Sequence, residues 1–293
     1  MLLAKQLAGG GGSQPSDNQI NELIEGALRS ISNSQVSLIH AMVFAQQGIL
    51  SSADFPNVKT IQGSAFNQCE RLENVSFPQV DIVLNHAFAN CYALSNVDFP
   101  NLTQISGSSA FSGCSALSSI SMPKLENVSG YGIFANCKAL KNVELPKLSS
   151  ADTAMFSTDT SLEKVEFSEL TSIVNYMFDG CMSLSDVSAP KVDTIHPNAF
   201  AKCYALSTVS FPNLTQISGS SAFYKCYNLL SLYLMGSSVV ILSNINAFSS
   251  TPISNYTTST GGVHGSIFVP ASLYSDYVVA SKWSTYAQRF VSL

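Results

Sequence analysis

Apolar positions recur along this chain with one long, fixed period. Nine phenylalanines mark it: Phe44, Phe66, Phe88, Phe111, Phe134, Phe156, Phe178, Phe200 and Phe223, spaced 22 or 23 residues apart. Three residues after an anchor comes cysteine, at Cys69, Cys91, Cys114, Cys137, Cys181, Cys203 and Cys226, which are all seven in the chain. Six residues after every anchor comes leucine, from Leu50 to Leu229. Val or Ile usually follows at the ninth position, an apolar residue at the eleventh, and proline at the twelfth in seven units. Within a unit, Phe66, Cys69 and Leu72 are three apart, which predicts one face of a short helical or 3₁₀ turn. Val75 and Phe77 alternate with Ser76, which predicts a strand with one buried face. Pro78 ends that strand, because its fixed φ and missing N–H remove it from a ladder. One such unit cannot bury its apolar residues alone, so the units are expected to stack as a solenoid. Nine coils at ~4.8 Å each predict a body about 40 Å long. The extra residue of the 23-residue units falls before Phe111, Phe134 and Phe223, in a corner where an insertion is least costly.

The segment Leu72-x-x-Val75-x-Phe77 resembles the Leu-x-x-Leu-x-Leu core of a leucine-rich repeat. With the following proline and the 22–23-residue period, the unit resembles the BspA-type bacterial leucine-rich repeat. The resemblance covers Phe44 to about Leu234. It implies an α/β repeat fold: a right-handed leucine-rich-repeat solenoid with short parallel strands on its concave face and helical N- and C-terminal caps. The Phe156 unit departs from the pattern, with Asp159 for cysteine and Ser168 for proline, and the Phe44 unit has Gln47 for cysteine. Residues 87–114 and 199–226 are identical at 23 of 28 positions. The five differences all fall between apolar columns, where side chains are expected to point outward.

An open solenoid needs covered ends. Residues 1–15 contain the run Gly9–Gly12 and read as a flexible tail. Lys5 interrupts the apolar start after three residues, so a secretory signal is not expected there. Residues 16–32 are expected to form an amphipathic N-terminal capping helix, with Ile20, Leu23, Ile24, Ala27, Leu28 and Ile31 on one stripe. Residues 33–244 form the solenoid in this reading. Residues 245–293 form a C-terminal cap of strand plus helix, in which Ile267, Val269, Pro270, Trp283, Tyr286 and Ala287 resemble the terminal segment of BspA-like proteins. Trp283, the only tryptophan, is expected to anchor that cap.

Composition narrows the function. Only 11% of the 293 residues are charged, the net charge is −5, and 48 serines supply much of the polar surface. An acidic chain lacks the basic footprint that phosphate neutralisation requires, so no nucleic-acid partner is expected. No apolar run reaches the ~18 residues of a membrane-spanning helix, so no membrane insertion is expected. The cysteines share one core-facing column, which predicts reduced, inert thiols. They form no Cys-x-x-Cys pair and have no histidine at ligand spacing, so no metal site is expected. His40 and His196 precede anchors in a turn and read as surface residues. No nucleophile–base–orienter set is present, so no catalytic residues, no cofactor and no enzyme activity are expected.

Two groups of outward residues remain as binding candidates. The first is the middle outward position of the strands, which carries Asp98, Glu144 and Glu166, with Lys164 and Asp186 nearby. Glu144 and Glu166 are expected ~5 Å apart on adjacent coils. They read as a cation or cationic-ligand site, or as a solvated face in which Lys164 offsets repulsion. The second is the column just after the cysteines, with Tyr92, Tyr204 and Tyr227, and Tyr224 close by. Exposed tyrosines on a rigid edge suit protein or glycan contact. The reading is a non-catalytic binding scaffold with a protein or glycan partner. The resemblance implies cell-surface adhesion. The alternatives are a structural or host-recognition part of a prophage-like particle and an intracellular interaction adaptor.

Overall fold

A computed structural model describes residues 29–254 and 264–293. Short parallel strands stack in two ladders along one axis. The longer ladder runs through eight strands, from Ser30–Ser32 to Asp186–Ser188, and resumes through four more, from Thr208–Ser210 to Phe290–Ser292. Twelve turns of chain therefore stack, three more than the anchors in the sequence predict. At ~4.8 Å per strand the ladder is about 50 Å long. Its inward column is Ile31, Ala53, Val75, Val97, Ile120, Val143, Val165, Val187, Val209, Leu232, Ile267 and Phe290, held in register by strand pairing except between Val187 and Val209, where the pairing lapses.

The second ladder was not anticipated. It begins at Leu38–Ile39 and recurs as two- or three-residue strands such as Thr60–Ile61, Ile82–Leu84 and Gln216–Ile217. Each contributes the isoleucine-type column of the unit to the core. Six of these nine strands have only two residues, too few to show alternation, so the sequence period that reveals the first ladder is nearly silent here.

Between ladders the Phe–Cys–Leu segment is a chain of tight turns. Cys69 N–H donates to Phe66 O and Leu72 N–H to Cys69 O at 3.1 and 3.0 Å, an i to i+3 pattern as expected. The residues two before and two after each anchor take positive φ in coil after coil. Ser64 and Gln68 flank Phe66 in this way, His86 and Asn90 flank Phe88, and Asn198 and Lys202 flank Phe200. This left-handed pair turns the backbone so that successive N–H groups reach the next coil: Phe66 N–H donates to Ala87 O and Gln68 N–H to Ala89 O. The longer corners are solved by glycine. Gly107 and Gly130 take φ of +103° and +141°, and a Cβ on Gly130 would lie 2.4 Å from the Gly107 carbonyl carbon.

The core is one continuous stack. The anchor rings from Phe44 to Phe223 lie nearly parallel at 5.0–5.8 Å, and Phe248 adds a tenth ring at 5.3 Å. Phe248 escapes the sequence frame because it sits 25 residues after Phe223. Each cysteine Sγ donates to the anchor carbonyl of the preceding coil at 2.9–3.3 Å, as from Cys69 to Phe44 O and from Cys137 to Phe111 O.

The ends differ from the expected helical caps. Residues 16–28 lie outside the described residues. The tail of the expected helix, Ser30–Ser32, is a strand paired with Ser52–Asp54, because Ile31 continues the inward valine column. At the other end two further strands, Ser266–Val269 and Phe290–Ser292, extend the ladder. They enclose a six-residue helix, Tyr274–Val279, and a kinked 3₁₀ segment, Trp283–Arg289. Trp283 and Tyr286 close over Phe248, and Tyr277 packs against Trp283. Their polar ends are satisfied: Trp283 Nε1 donates to Val240 O at 2.6 Å, Tyr277 Oη accepts from Val240 N–H at 3.0 Å, and Tyr286 Oη donates to Ile245 O.

Candidate functional site

The outward face of the longer ladder brings the acidic candidates together. Strand register sets Glu144 beside Glu166, Asn142 beside Lys164 and Lys164 beside Asp186. Lys164 Nζ lies 2.7 Å from Glu166 and 3.5 Å from Asp186. Those two carboxylates raise the lysine pKa, Glu166 most strongly. Glu144 makes no ion pair among the described residues. A shallow depression of about 220 Å³ lies between Asn142, Glu144, Lys164 and Glu166. The acids are exposed and only Glu166 and Asp186 share the ammonium, so they form an open charged surface and not an enclosed cage. Asp98 stands two coils from Glu144, across Ser121. No group of three or more histidine, cysteine or acidic side chains that could hold a metal ion occurs among the described residues.

The tyrosine candidates divide. Tyr204 and Tyr227 stack at 5.2 Å and 17°. Lys225 Nζ lies 5.1 Å from the Tyr224 ring centre, and that contact raises the lysine pKa. Tyr92 is 46% exposed but belongs to a coil five units earlier, so it joins neither pair. Stacking turns each of Tyr204 and Tyr227 face-on to the other, which removes two ring faces that a sugar would use.

The strand face also holds aromatic residues outside the two candidate groups. In the outward column, Tyr233 pairs with Phe268 and Phe268 with Val291. The two rings stack at 4.5 Å and 12°. Val291 and Leu293 are exposed beside them, as is Met235 near the strand end. The signal was present: Ile267-Phe268-Val269-Pro270 fits the Val-x-Phe-Pro segment of the unit, with Phe268 in the outward slot. The thiols lie beneath this face, out of reach. Burial pushes Cys69 up to about 11 and Cys114 up to about 12.

Six copies of the BspA type leucine rich repeat region match residues 37–163 and 150–264. The chain belongs to the BspA-type leucine-rich repeat family. Among solved structures, a leucine-rich repeat protein of Bacteroides ovatus is similar at 20% identity and a TM-score of 0.67. The match covers 90% of this chain and 68% of that one. A second, from Eubacterium ventriosum, is similar at 22% identity and a TM-score of 0.51, over 67% of this chain and 64% of that one. These likenesses establish the fold. No curated protein matches the sequence. For a BspA-type chain the inward columns are thus explained by the repeat, and function must be sought in the outward ones.

Proposed function

We propose that this protein is a non-catalytic interaction scaffold that holds a protein partner on the outward face of its longer strand ladder. One observation carries the reading. The face is a rigid, regular array whose outward column changes character from acidic to aromatic and apolar along its length, while the column beneath it is invariantly apolar. A surface that varies on an unvarying frame is what binding requires of a repeat protein. The stacked Tyr204–Tyr227 edge supports glycan contact less well, because two of its ring faces are already covered.

The two surfaces are separable within one coil. Ser188 is exposed on the strand face, and Met182 is 43% exposed in the tyrosine column. In Ser188→Cys and Met182→Cys variants, polyethylene-glycol maleimide reacts at the new thiol, since the native thiols are buried. The purified chain is then applied to arrays of peptides and of glycans. Binding to peptides that is lost with the label at Ser188 and kept with the label at Met182 is the expected result. The converse pattern would transfer the function to the tyrosine edge.

A further inference from the structure

From the order of charge and apolarity along the strand face, we infer that the partner is an extended polypeptide segment with basic side chains at one end and an apolar side chain four to six residues away. This deepens the strand-face reading and rests on it. Five carboxylates occupy the outward strand columns up to Ser188, namely Asp54, Asp98, Glu144, Glu166 and Asp186, against a single ammonium, Lys164. Lys164 is already shared between Glu166 and Asp186, so Glu144 has no cation paired with it among the described residues. Such a surface selects a cationic partner and repels an anionic one.

Beyond Ser188 the column loses charge. Ser210 is followed by Tyr233, Phe268 and Val291. Because Tyr233 and Phe268 stack face to face along the solenoid axis, they present ring edges and not faces to solvent. Edges carry the positive part of the ring quadrupole, so this end does not attract a lysine or arginine. It suits an aliphatic or aromatic side chain packed against Phe268, Val291 and Leu293. The two ends are set apart by whole coil steps. Glu166 and Tyr233 are separated by three coil steps, about 14 Å, and Glu144 and Tyr233 by four, about 19 Å. An extended peptide advances ~3.3 Å per residue, so four to six residues join them.

A short fluorescent peptide with two lysines and, about five residues further on, a leucine tests this on the whole chain by anisotropy. Three further peptides move the leucine next to the lysines, omit it, or replace the lysines with glutamates. We expect only the first peptide to bind well, with Glu144→Gln/Glu166→Gln and Val291→Ser each weakening it about tenfold or more. Added salt is expected to weaken binding to the native chain and to Val291→Ser, and much less to the double variant. All three sites are exposed, so folding is not at stake, and circular dichroism verifies it. Equal binding of the spaced and unspaced peptides, or indifference to both variants, would overturn the inference. The Ser188→Cys label tells which claim has failed. If the label still blocks array binding, only the partner class is wrong. If it does not, the strand-face reading falls with it.

Discussion

The coils that carry cysteine and the coil that carries Asp159 share one backbone and differ in how the same slot is filled. In a cysteine coil the thiol donates to the preceding anchor carbonyl and has no further demand. In the Phe156 coil the slot holds a carboxyl that is fully buried. Asp159 Oδ1 accepts from Cys137 N–H at 2.7 Å, but Oδ2 has no partner, and Phe134 O lacks the donor its counterparts have. Burial pushes the Asp159 carboxyl well above the usual range. The neighbouring geometry loosens with it. Phe156 lies 5.7 and 5.8 Å from its stacking partners, where the other anchor spacings are 5.0–5.4 Å. The second ladder is interrupted just before, with Ser150 reduced to an isolated bridge, and Asp152 Oδ2 is unpaired as well. A solenoid is only as strong as its nearest-neighbour interfaces, so residues 149–159 are expected to form a weak join.

The largest expected effect comes from copying the defect. Cys203→Asp sets a second carboxyl inside an unbroken thiol stretch and should cost about 3–5 kcal/mol in urea unfolding, the scale of an uncompensated buried charge. A cost below about 1 kcal/mol would mean that the slot tolerates acids, and the contrast would lose its basis. The reverse change, Asp159→Cys, should gain about 1–3 kcal/mol by removing an unsatisfied group. That gain has a pH signature. The native value is raised, so the folded chain holds this proton more tightly than the unfolded chain does. The native protein is therefore favoured most below the ordinary value of 3.8 and loses stability as pH climbs through the raised one. The advantage of Asp159→Cys should be small near pH 4 and widen as pH rises.

A smaller effect lies one residue away. Thr158 is β-branched yet sits at φ +65°, a position that Asn136 and Asn90 occupy at lower cost. Thr158→Asn should gain about 0.5–1 kcal/mol, read as a higher urea midpoint with an unchanged slope. The slightest effect is kinetic. If the Asp159 coil opens first, Cys137 and Cys181 should react with a thiol reagent sooner than Cys91 and Cys114, followed by mass spectrometry of digests. Equal rates at all four would place the join elsewhere.

The period of 22–23 residues revealed the main ladder, its inward column and its outward one, because each depends on side chains that repeat. Acidic residues could be set side by side from spacing alone, since parallel register follows from a constant repeat length. What escaped depends on something else. Most strands of the second ladder are too short to alternate. The paired left-handed positions accept serine, asparagine, lysine, histidine and threonine alike, so no residue type announces them. The Tyr233–Phe268 pair was hidden by the 32 residues between two aligned strands, which contain the Phe248 turn and residues 255–263. The expected N-terminal helix continued a stripe through Ile31 that the valine column claims instead.

The corner glycines have a consequence for how such a molecule changes over time. An added residue before Phe111 or Phe134 is absorbed at Gly107 or Gly130, and strand register on either side is unaltered. Length within a coil is thus decoupled from pitch between coils, and whole coils become interchangeable parts. The near-identity of residues 87–114 and 199–226 is what copying such parts leaves behind. Each gain or loss of one coil moves the acidic and aromatic ends of the face apart or together by one pitch of ~4.8 Å. The face is built like a ruler, and gain or loss of a whole coil changes the length it spans.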